Sequence, residues 1–347
     1  MSAKGTTLRW RMLFAAIAFM LSTVSSYVVF HRVPTGSDEN SYVFQAYNFL
    51  DGVIARPEPP MPEAFSSGMV IIHPEAGWLS RYPPGHSLWL LTSIWADAVY
   101  PAIGLAAAVA IWFLCGAAFA LGIPQALVAV PLLVSPFFFF MYGTQLSHTS
   151  GLAAAAMLCW GYIRGRTRNE RWPLFIAGLA WSLLFLNRTY TALLMAIPFA
   201  VDALWHWLRV RTWRAFQQTA LFAVAAGCGV LGYLAYNQLV TNDPFHATYL
   251  FYDASESLGF GTRHVYGEVV HHTFANGLGY LWNNVRAMDQ WLWGFHGSLL
   301  IALVLSIVGW SRRWVPALSR CYAKCVAWLY RFLVQGRNGC GRTGLFL

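Results

Sequence analysis

The stretch PAIGLAAAVAIWFLCGAAFALG, residues 101–122, decides the fold of this chain because it carries no charged side chain. About 20 such residues in a helix cross the hydrocarbon core of a bilayer. The whole chain of 347 residues is 57% hydrophobic and only 11% charged, whereas soluble proteins carry about 25% charged residues. These values exclude a water-soluble globular protein and intrinsic disorder. They predict an all-α polytopic membrane protein.

Further apolar runs predict the other membrane spans. The full set of runs is residues 12–30, 101–122, 124–142, 148–163, 173–207, 216–239 and 297–310. The run 173–207 is long enough for two helices, which we expect to meet at Asn187-Arg188-Thr189. The total is then about eight spans. The first run also has features of a cleaved signal peptide, but its length and the spans that follow favour an uncleaved span.

The placement of basic residues predicts the orientation, since short loops rich in Lys and Arg stay in the cytoplasm. Basic clusters lie at residues 4–11, 164–171, 209–214 and 312–342. If all four are cytoplasmic, both termini are cytoplasmic and two long outer segments remain, residues 31–96 and 240–296. Topology thus accounts for the net charge of +9, and nucleic acid has no support as a partner. We divide the chain into a transmembrane domain, residues 1–310, and a basic cytoplasmic tail, residues 311–347.

The first outer segment begins with TGSDENSY, residues 35–42, which predicts a helix on the membrane surface. Ser37 or Asp38 can cap its start and Gly52 can end it. Residues of one face recur at helical spacing: Tyr42, Ala46 and Phe49. Asp38 and Glu39 are adjacent carboxylates in its first turn. Capping would account for them, and a general base is the functional alternative.

A second motif, RYPPGH at residues 81–86, predicts a rigid turn because two prolines and a glycine restrict the backbone. The turn either aims Tyr82 and His86 at a cavity or only starts the short apolar helix expected at residues 88–95. No cofactor is required by these patterns. A divalent metal on Asp38 or Glu39 with His73 or His148 is an alternative that the spacing of the histidines leaves open.

Taken in order, these motifs resemble the GT-C superfamily of membrane glycosyltransferases. The likeness is to the bacterial relatives of protein O-mannosyltransferases and of the lipid A aminoarabinose transferase, which are glycosyltransferase family 39-like. Those proteins show Asp-Glu-x-x-Tyr, here at residues 38–42, then Tyr-Pro-Pro-Gly, here at residues 82–85, and then a half-helix. Thr189 departs from the proline common in relatives. The likeness covers residues 10–310, so a C-terminally shortened member is expected.

The resemblance implies a sugar donor linked to polyprenyl phosphate, a lipid, glycan or protein acceptor, and surrounding membrane lipids. It implies a reaction on the periplasmic side of a bacterial inner membrane, with Asp38 as general base and Glu39 as a second candidate. Arg188 is the leading candidate to stabilise the leaving phosphate, and an arginine whose side chain only reaches to the membrane interface is the alternative. The predicted substrate- and donor-binding residues are Tyr42, His73, Arg81, Tyr82, His86, His148, Arg188 and Arg263. A multi-pass transporter or flippase, and a non-catalytic shortened member, are the alternatives.

Overall fold

The structure is a computed structural model that describes residues 3–255, 259–265 and 268–311. The predicted cytoplasmic tail, residues 311–347, lies outside the described residues apart from its first position. The helices are α1 Ala3–Val24, α2 Ser37–Leu50, α3 Pro62–Phe65, α4 Gly85–Ile94, α5 Tyr100–Ala120, α6 Ala126–Leu133, α7 Pro136–Met141, α8 His148–Arg168, α9 Trp172–Asn187, α10 Thr189–Val210, α11 Trp213–Thr241, α12 Thr248–Tyr252, α13 Phe274–Trp291 and α14 Ser298–Ser311. Two antiparallel hairpins pair β1 Val70–His73 with β2 Gly77–Ser80, and β3 Gly261–Val265 with β4 Glu268–His272.

Several of these helices have the length and composition of membrane spans, as the sequence predicts. A π-helical turn, Ser25–Val29, continues α1. Among the described residues, four helices are long and apolar enough to cross a bilayer: α1 with this turn (Thr7–Val29), α5 Tyr100–Ala120, α10 Thr189–Val210 and α11 Trp213–Thr241. On α11, Val224 is 66% exposed and Leu231 is 68% exposed. Such a surface suits lipid rather than water. The all-α membrane fold is therefore supported, whereas the count of about eight spans is not confirmed.

The long apolar run at residues 173–207 divides into two helices, which confirms the predicted break. The break is at Arg188, whose backbone leaves the helical region with φ −142° and ψ 79°. Helix α9 has 16 residues, about 24 Å at 1.5 Å per residue, and this is less than the roughly 30 Å of a hydrocarbon core. At the end of α9, Arg188 Nη1 donates to Ser147 Oγ, which places Arg188 next to the segment that precedes α8.

The prediction of one continuous span over residues 124–142 is wrong. The run forms α6 and α7, with the break at Val134 and Ser135. Pro136 cannot continue a helix that precedes it, because proline has no N–H and restricts the residue before it. The Ser135 hydroxyl accepts from Phe138 N at 3.3 Å and donates to Leu292 O at 2.5 Å, which fixes the break against the end of α13.

Small residues bring the helices of the bundle into close contact, a common device in membranes. A Cβ on Gly178 of α9 would lie 2.4 Å from Phe222 O, and one on Gly229 of α11 would lie 2.5 Å from Ser182 Cα. Neither position has room for a larger residue, so α9 and α11 pack with their backbones nearly touching. This pairing supports the helix whose C-terminal end holds Arg188.

The predicted helix after the first span is confirmed as α2, but its start differs from the prediction. Gly36 is the N-cap residue, and no side chain, including those of Ser37 and Asp38, caps the helix. Gly52, with φ +76°, follows the helix end as expected. The inward face is more polar than the predicted apolar stripe, because it also buries Glu39, Ser41, Gln45 and Asn48. Ser87 of α4 donates to Gln45, and Ser80 of β2 is hydrogen-bonded to Ser41.

Candidate functional site

The candidate site begins at the first turn of α2, where Asp38 is half-buried. The Tyr82 hydroxyl, from the turn before α4, donates to Asp38 Oδ1. The Tyr82 ring lies 4.5 Å from the ring of Tyr42, and the Tyr42 ring meets His86 edge-on at 4.8 Å, both distances between centroids. The structure thus brings together four residues that the two sequence motifs single out.

Tyr82 is a permanent hydrogen-bond donor to Asp38 at neutral pH. Burial raises the pKa of the Tyr82 phenol well above its ordinary value, and the nearby Tyr42 and Asp38 raise it further. The phenol therefore keeps its proton, and that proton faces Oδ1. Because Tyr82 occupies Oδ1, Oδ2 is the Asp38 oxygen left for an incoming hydroxyl.

Glu39 is adjacent to Asp38 but lies in a different environment. Its side chain is only 1% exposed. It accepts from Thr35 N and Gln145 N, both at 3.2 Å, and from the Thr35 hydroxyl. Burial raises the pKa of the Glu39 carboxyl above its ordinary value, with a small contribution from Asp38, while the hydrogen bonds from Thr35 and Gln145 oppose the shift. Glu39 therefore ties α2 to the segment before α8 and offers no surface to a substrate.

The raised pKa of Glu39 makes the free energy of unfolding depend on pH. A carboxyl whose pKa is raised in the folded state stabilises the fold below its unfolded pKa, and this contribution is lost as pH rises through the folded pKa. Gln keeps an acceptor for Thr35 or Gln145 without the charge. We expect Glu39→Gln to gain thermal stability relative to wild type as pH rises from about 4, with no gain at lower pH. Melting temperatures in detergent across this range test it, and a difference that is constant with pH would contradict it.

Arg188 connects to the same cluster through one serine. Its Nη1 donates to Ser147 Oγ at 3.0 Å, and the Tyr42 hydroxyl donates to the same Oγ at 3.0 Å. Burial raises the pKa of Tyr42 to about 12, while Arg188 lowers it and Asp38 raises it. Asp38 and Arg188 are therefore both close enough to Tyr42 to change the pKa of its phenol. Both are partly exposed, whereas the tyrosines between them are buried.

His86 does not face a cavity, contrary to one of the two sequence interpretations of its turn. The ring is fully buried, with Nδ1 at 2.7 Å from Ser150 Oγ and Nε2 at 2.8 Å from Gln145 O. Since a carbonyl only accepts, Nε2 carries the proton. Burial lowers the pKa of His86 to about 4, so the ring is neutral. His86 joins α4 to α8 and has no polar atom left for a substrate.

The other predicted residues lie around this cluster or away from it. Arg81 is buried against aromatic rings, with its guanidinium carbon 4.6 Å from the Tyr252 ring centroid and 5.3 Å from that of Tyr249. His148 begins α8 and is buried, and its Nδ1 has no hydrogen-bond partner in the described part of the chain. Arg263 is on the β3–β4 hairpin, where it donates to Gly259 O at 2.7 Å.

His73 lies at the turn of the β1–β2 hairpin, and its Nδ1 accepts from Glu75 N at 3.2 Å. The opposite end of that hairpin contacts α2, where Ser41 Oγ and Ser80 Oγ are 2.7 Å apart. About 10 Å of strand separates the two ends. In the described ranges, no group of three or more His, Cys, Asp or Glu side chains could hold a metal ion. The alternative metal site of Asp38, Glu39 and His73 therefore gains no support.

Sequence reasoning missed the polar network behind the tyrosines. Gln45 Nε2 donates to Tyr82 O at 3.0 Å and to the Tyr236 hydroxyl at 2.8 Å, and Gln45 Oε1 accepts from Ser87 Oγ at 2.6 Å. This network holds the Tyr82 backbone between α2, α4 and α11. A signal was present, because Ser41, Gln45 and Asn48 recur at i, i+4 and i+7 on one face of α2.

No family model matches this chain, and no curated protein or solved structure matches it. The resemblance to GT-C proteins is therefore carried by the quoted motifs. The geometry around Asp38 and Arg188 is the structural feature that bears on function.

Proposed function

We propose that this chain is an integral-membrane glycosyltransferase of GT-C type. It moves a sugar from a polyprenyl-phosphate-linked donor to a hydroxyl of a lipid, glycan or protein acceptor. The observation that carries the proposal is the pairing of a reachable carboxylate, Asp38, with a reachable guanidinium, Arg188, around the buried tyrosines 42 and 82.

The pair fits the charge changes of sugar transfer. The acceptor oxygen forms a bond to the anomeric carbon and loses its proton, and Asp38 Oδ2 takes that proton as general base. The bond from the anomeric carbon to the phosphate oxygen breaks, and its electron pair leaves with the phosphate. The growing negative charge on that phosphate is stabilised by a preorganised cation such as Arg188.

The two adjacent carboxylates take different roles in this proposal. Asp38 is half-buried and has one oxygen held by Tyr82. Glu39 is buried with three donors on its oxygens, so it acts as a positioning residue that fixes the first turn of α2. The hydrogen bond from Gln145 N to Glu39 joins α2 to the segment before α8. Ser147 of that segment accepts from Arg188, so Glu39 helps to position α2 relative to Arg188.

The proposed site lies on the periplasmic side of the membrane. The clusters at residues 164–171 and 209–214 lie at the end of the bundle opposite Arg188, at the far ends of α9 and α10. By the bias of basic residues toward the cytoplasm, that end is cytoplasmic and the Asp38 site faces the periplasm of a bacterial inner membrane. Both termini are then cytoplasmic.

The proposed activity predicts a specific change in membrane composition. We expect cells that lack the protein to accumulate the polyprenyl-phosphate-sugar donor and to lose one glycosylated product, each restored by the wild-type gene. Mass spectrometry of extracted lipids and envelope glycans measures both. Unchanged lipids and glycans would count against a transferase. Saturable solute uptake into vesicles that is insensitive to changes at Asp38 would instead favour a transporter.

A further inference from the structure

A second candidate site is at the other end of α9, where α8, α9 and α11 begin or end. A surface depression of about 600 Å³ opens there, and Arg168, Arg171, Arg214 and Trp172 are among its lining residues. Helix α9 runs from Trp172 to Asn187, so about 24 Å of helix separates this depression from Arg188. The depression is therefore distinct from the Asp38 site.

The arginines of this depression carry charge that nearby acids do not neutralise. Glu170 is paired with Arg164 at 2.8 Å, and Asp202 of α10 with Arg166 at 2.9 Å. In the described part of the chain, no carboxylate lies within 4.0 Å of the side-chain nitrogens of Arg168 or Arg171. Glu170 also lines the depression, but both acids at this end are already paired with other arginines, and a concave surface with excess positive charge remains.

The turn that carries Arg168 and Arg171 is held in place by hydrogen bonds from α11. The Arg214 guanidinium donates to Asn169 O at 2.9 Å, which joins the start of α11 to the turn between α8 and α9. Gln218 Nε2 donates to Asn169 Oδ1 at 2.6 Å and supports the same turn. The Arg168 guanidinium lies 5.9 Å from the Phe119 ring centroid. The backbone of the turn is thus anchored by α11, and Arg168 and Arg171 extend from it as exposed side chains.

Two exposed tryptophans indicate that the depression lies at the level of lipid headgroups. Trp172 is 74% exposed and Trp213 is 70% exposed, each at the first residue of its helix. Tryptophan is enriched where a membrane protein crosses the headgroup region. Beyond them, α9 and α11 present apolar side chains to their surroundings, including Leu183 and Val224. A ligand here would meet arginines at its head and an apolar surface below.

We infer that this depression binds the phosphate of an anionic phospholipid, with the acyl chains along α9 and α11. Basic pockets between helices at a membrane surface are suited to such headgroups. A free phosphate ion would use the same arginines but would leave Trp172 and the apolar helix faces without a role. The ligand that uses all of these features is therefore the phospholipid and not the free ion.

The test compares two double variants that each remove two positive charges from the same end of the bundle. Arg168→Gln with Arg171→Gln changes the depression. Arg209→Gln with Arg211→Gln is the matched control outside it, since Arg209 also stacks on an aromatic ring, 5.2 Å from the Trp205 centroid. Purified, delipidated full chain in detergent is titrated with phosphatidylglycerol or phosphatidylcholine, and bound lipid is measured by native mass spectrometry.

We expect wild type to bind phosphatidylglycerol roughly tenfold more tightly than phosphatidylcholine. The change at 168 and 171 should remove most of this preference, while the control pair should keep it within about twofold. Arg168→Lys with Arg171→Lys should keep most of it and shows that the fold persists. If both Gln pairs lose this preference equally, the depression is not a specific site, and the arginines at this end of the bundle attract anionic lipid without a defined pocket. Displacement of the lipid by 10 mM inorganic phosphate, a concentration on the order of common buffers, would overturn the lipid as ligand.

Discussion

Asp38→Asn is expected to lower sugar transfer in membranes by about 10²- to 10⁴-fold, the usual contribution of a general base, with normal amounts of folded protein. Asn has the shape of Asp and keeps an oxygen that can accept from the Tyr82 hydroxyl, so the contact across the site persists. The amide cannot take a proton from an acceptor hydroxyl. The loss should therefore appear in the turnover rate rather than in donor binding. Transfer of labelled sugar in isolated membranes measures it.

Asp97→Asn is the matched control for this change. Asp97 follows the end of α4, accepts from the Tyr47 hydroxyl at 2.6 Å and has a positive φ of 53°. Asn tolerates the left-handed backbone region, and the exposed pair contributes little to stability, so we expect transfer within about twofold of wild type. Wild-type activity in Asp38→Asn with a normal protein level would remove Asp38 as the base. Such a result, combined with loss of activity in Glu39→Gln, would move that role to Glu39.

Local chemistry made part of this structure predictable. The break at Arg188 follows from a polar Asn-Arg-Thr step inside a long apolar run. A short helix after the turn at residues 81–86 follows from two prolines and a glycine, although α4 begins at Gly85 and not at residue 88 as predicted. The helix α2 follows from the helical spacing of Tyr42, Ala46 and Phe49, and its end follows from Gly52, whereas its start at Gly36 was not predicted. Each of these features depends on residues within a few positions of one another, so a sequence pattern contains the information.

Long-range contacts explain what the sequence did not predict. The buried position of His86 depends on Ser150 Oγ and Gln145 O, which come from a segment about sixty residues later. The different environments of Asp38 and Glu39 also depend on Gln145. Residues 124–142 have the composition of a span, and composition alone does not report that Ser135 is bonded to Leu292 O. Partners so distant in the sequence leave no local pattern.

Gly85→Ala is expected to destabilise the fold by about 3 kcal/mol or more, at the upper end of typical overpacking costs. Gly85 begins α4 and lies against the end of α9. A Cβ there would be 2.6 Å from Asn187 N and from Leu186 C, and 2.7 Å from Leu186 O. All three are backbone atoms that no rotamer change can move. To relieve the clash, α4 must shift away from α9, and this displaces Tyr82 relative to Arg188. Thermal unfolding in detergent should show a lower midpoint.

Gly227→Ala is the control that distinguishes this clash from a general intolerance of larger residues at glycine positions. Gly227 lies within α11, and an added Cβ would meet nothing within 4 Å. Alanine is favoured over glycine in a helix interior by about 1 kcal/mol. The thermal unfolding midpoint of Gly227→Ala should therefore equal or exceed that of wild type. Because Gly85→Ala also separates Asp38 and Tyr82 from Arg188, the surviving folded protein should transfer sugar more slowly. An unfolding midpoint for Gly85→Ala equal to wild type would show that α4 does not contact the Asn187–Arg188 break, and the link from α4 to Arg188 would then be wrong.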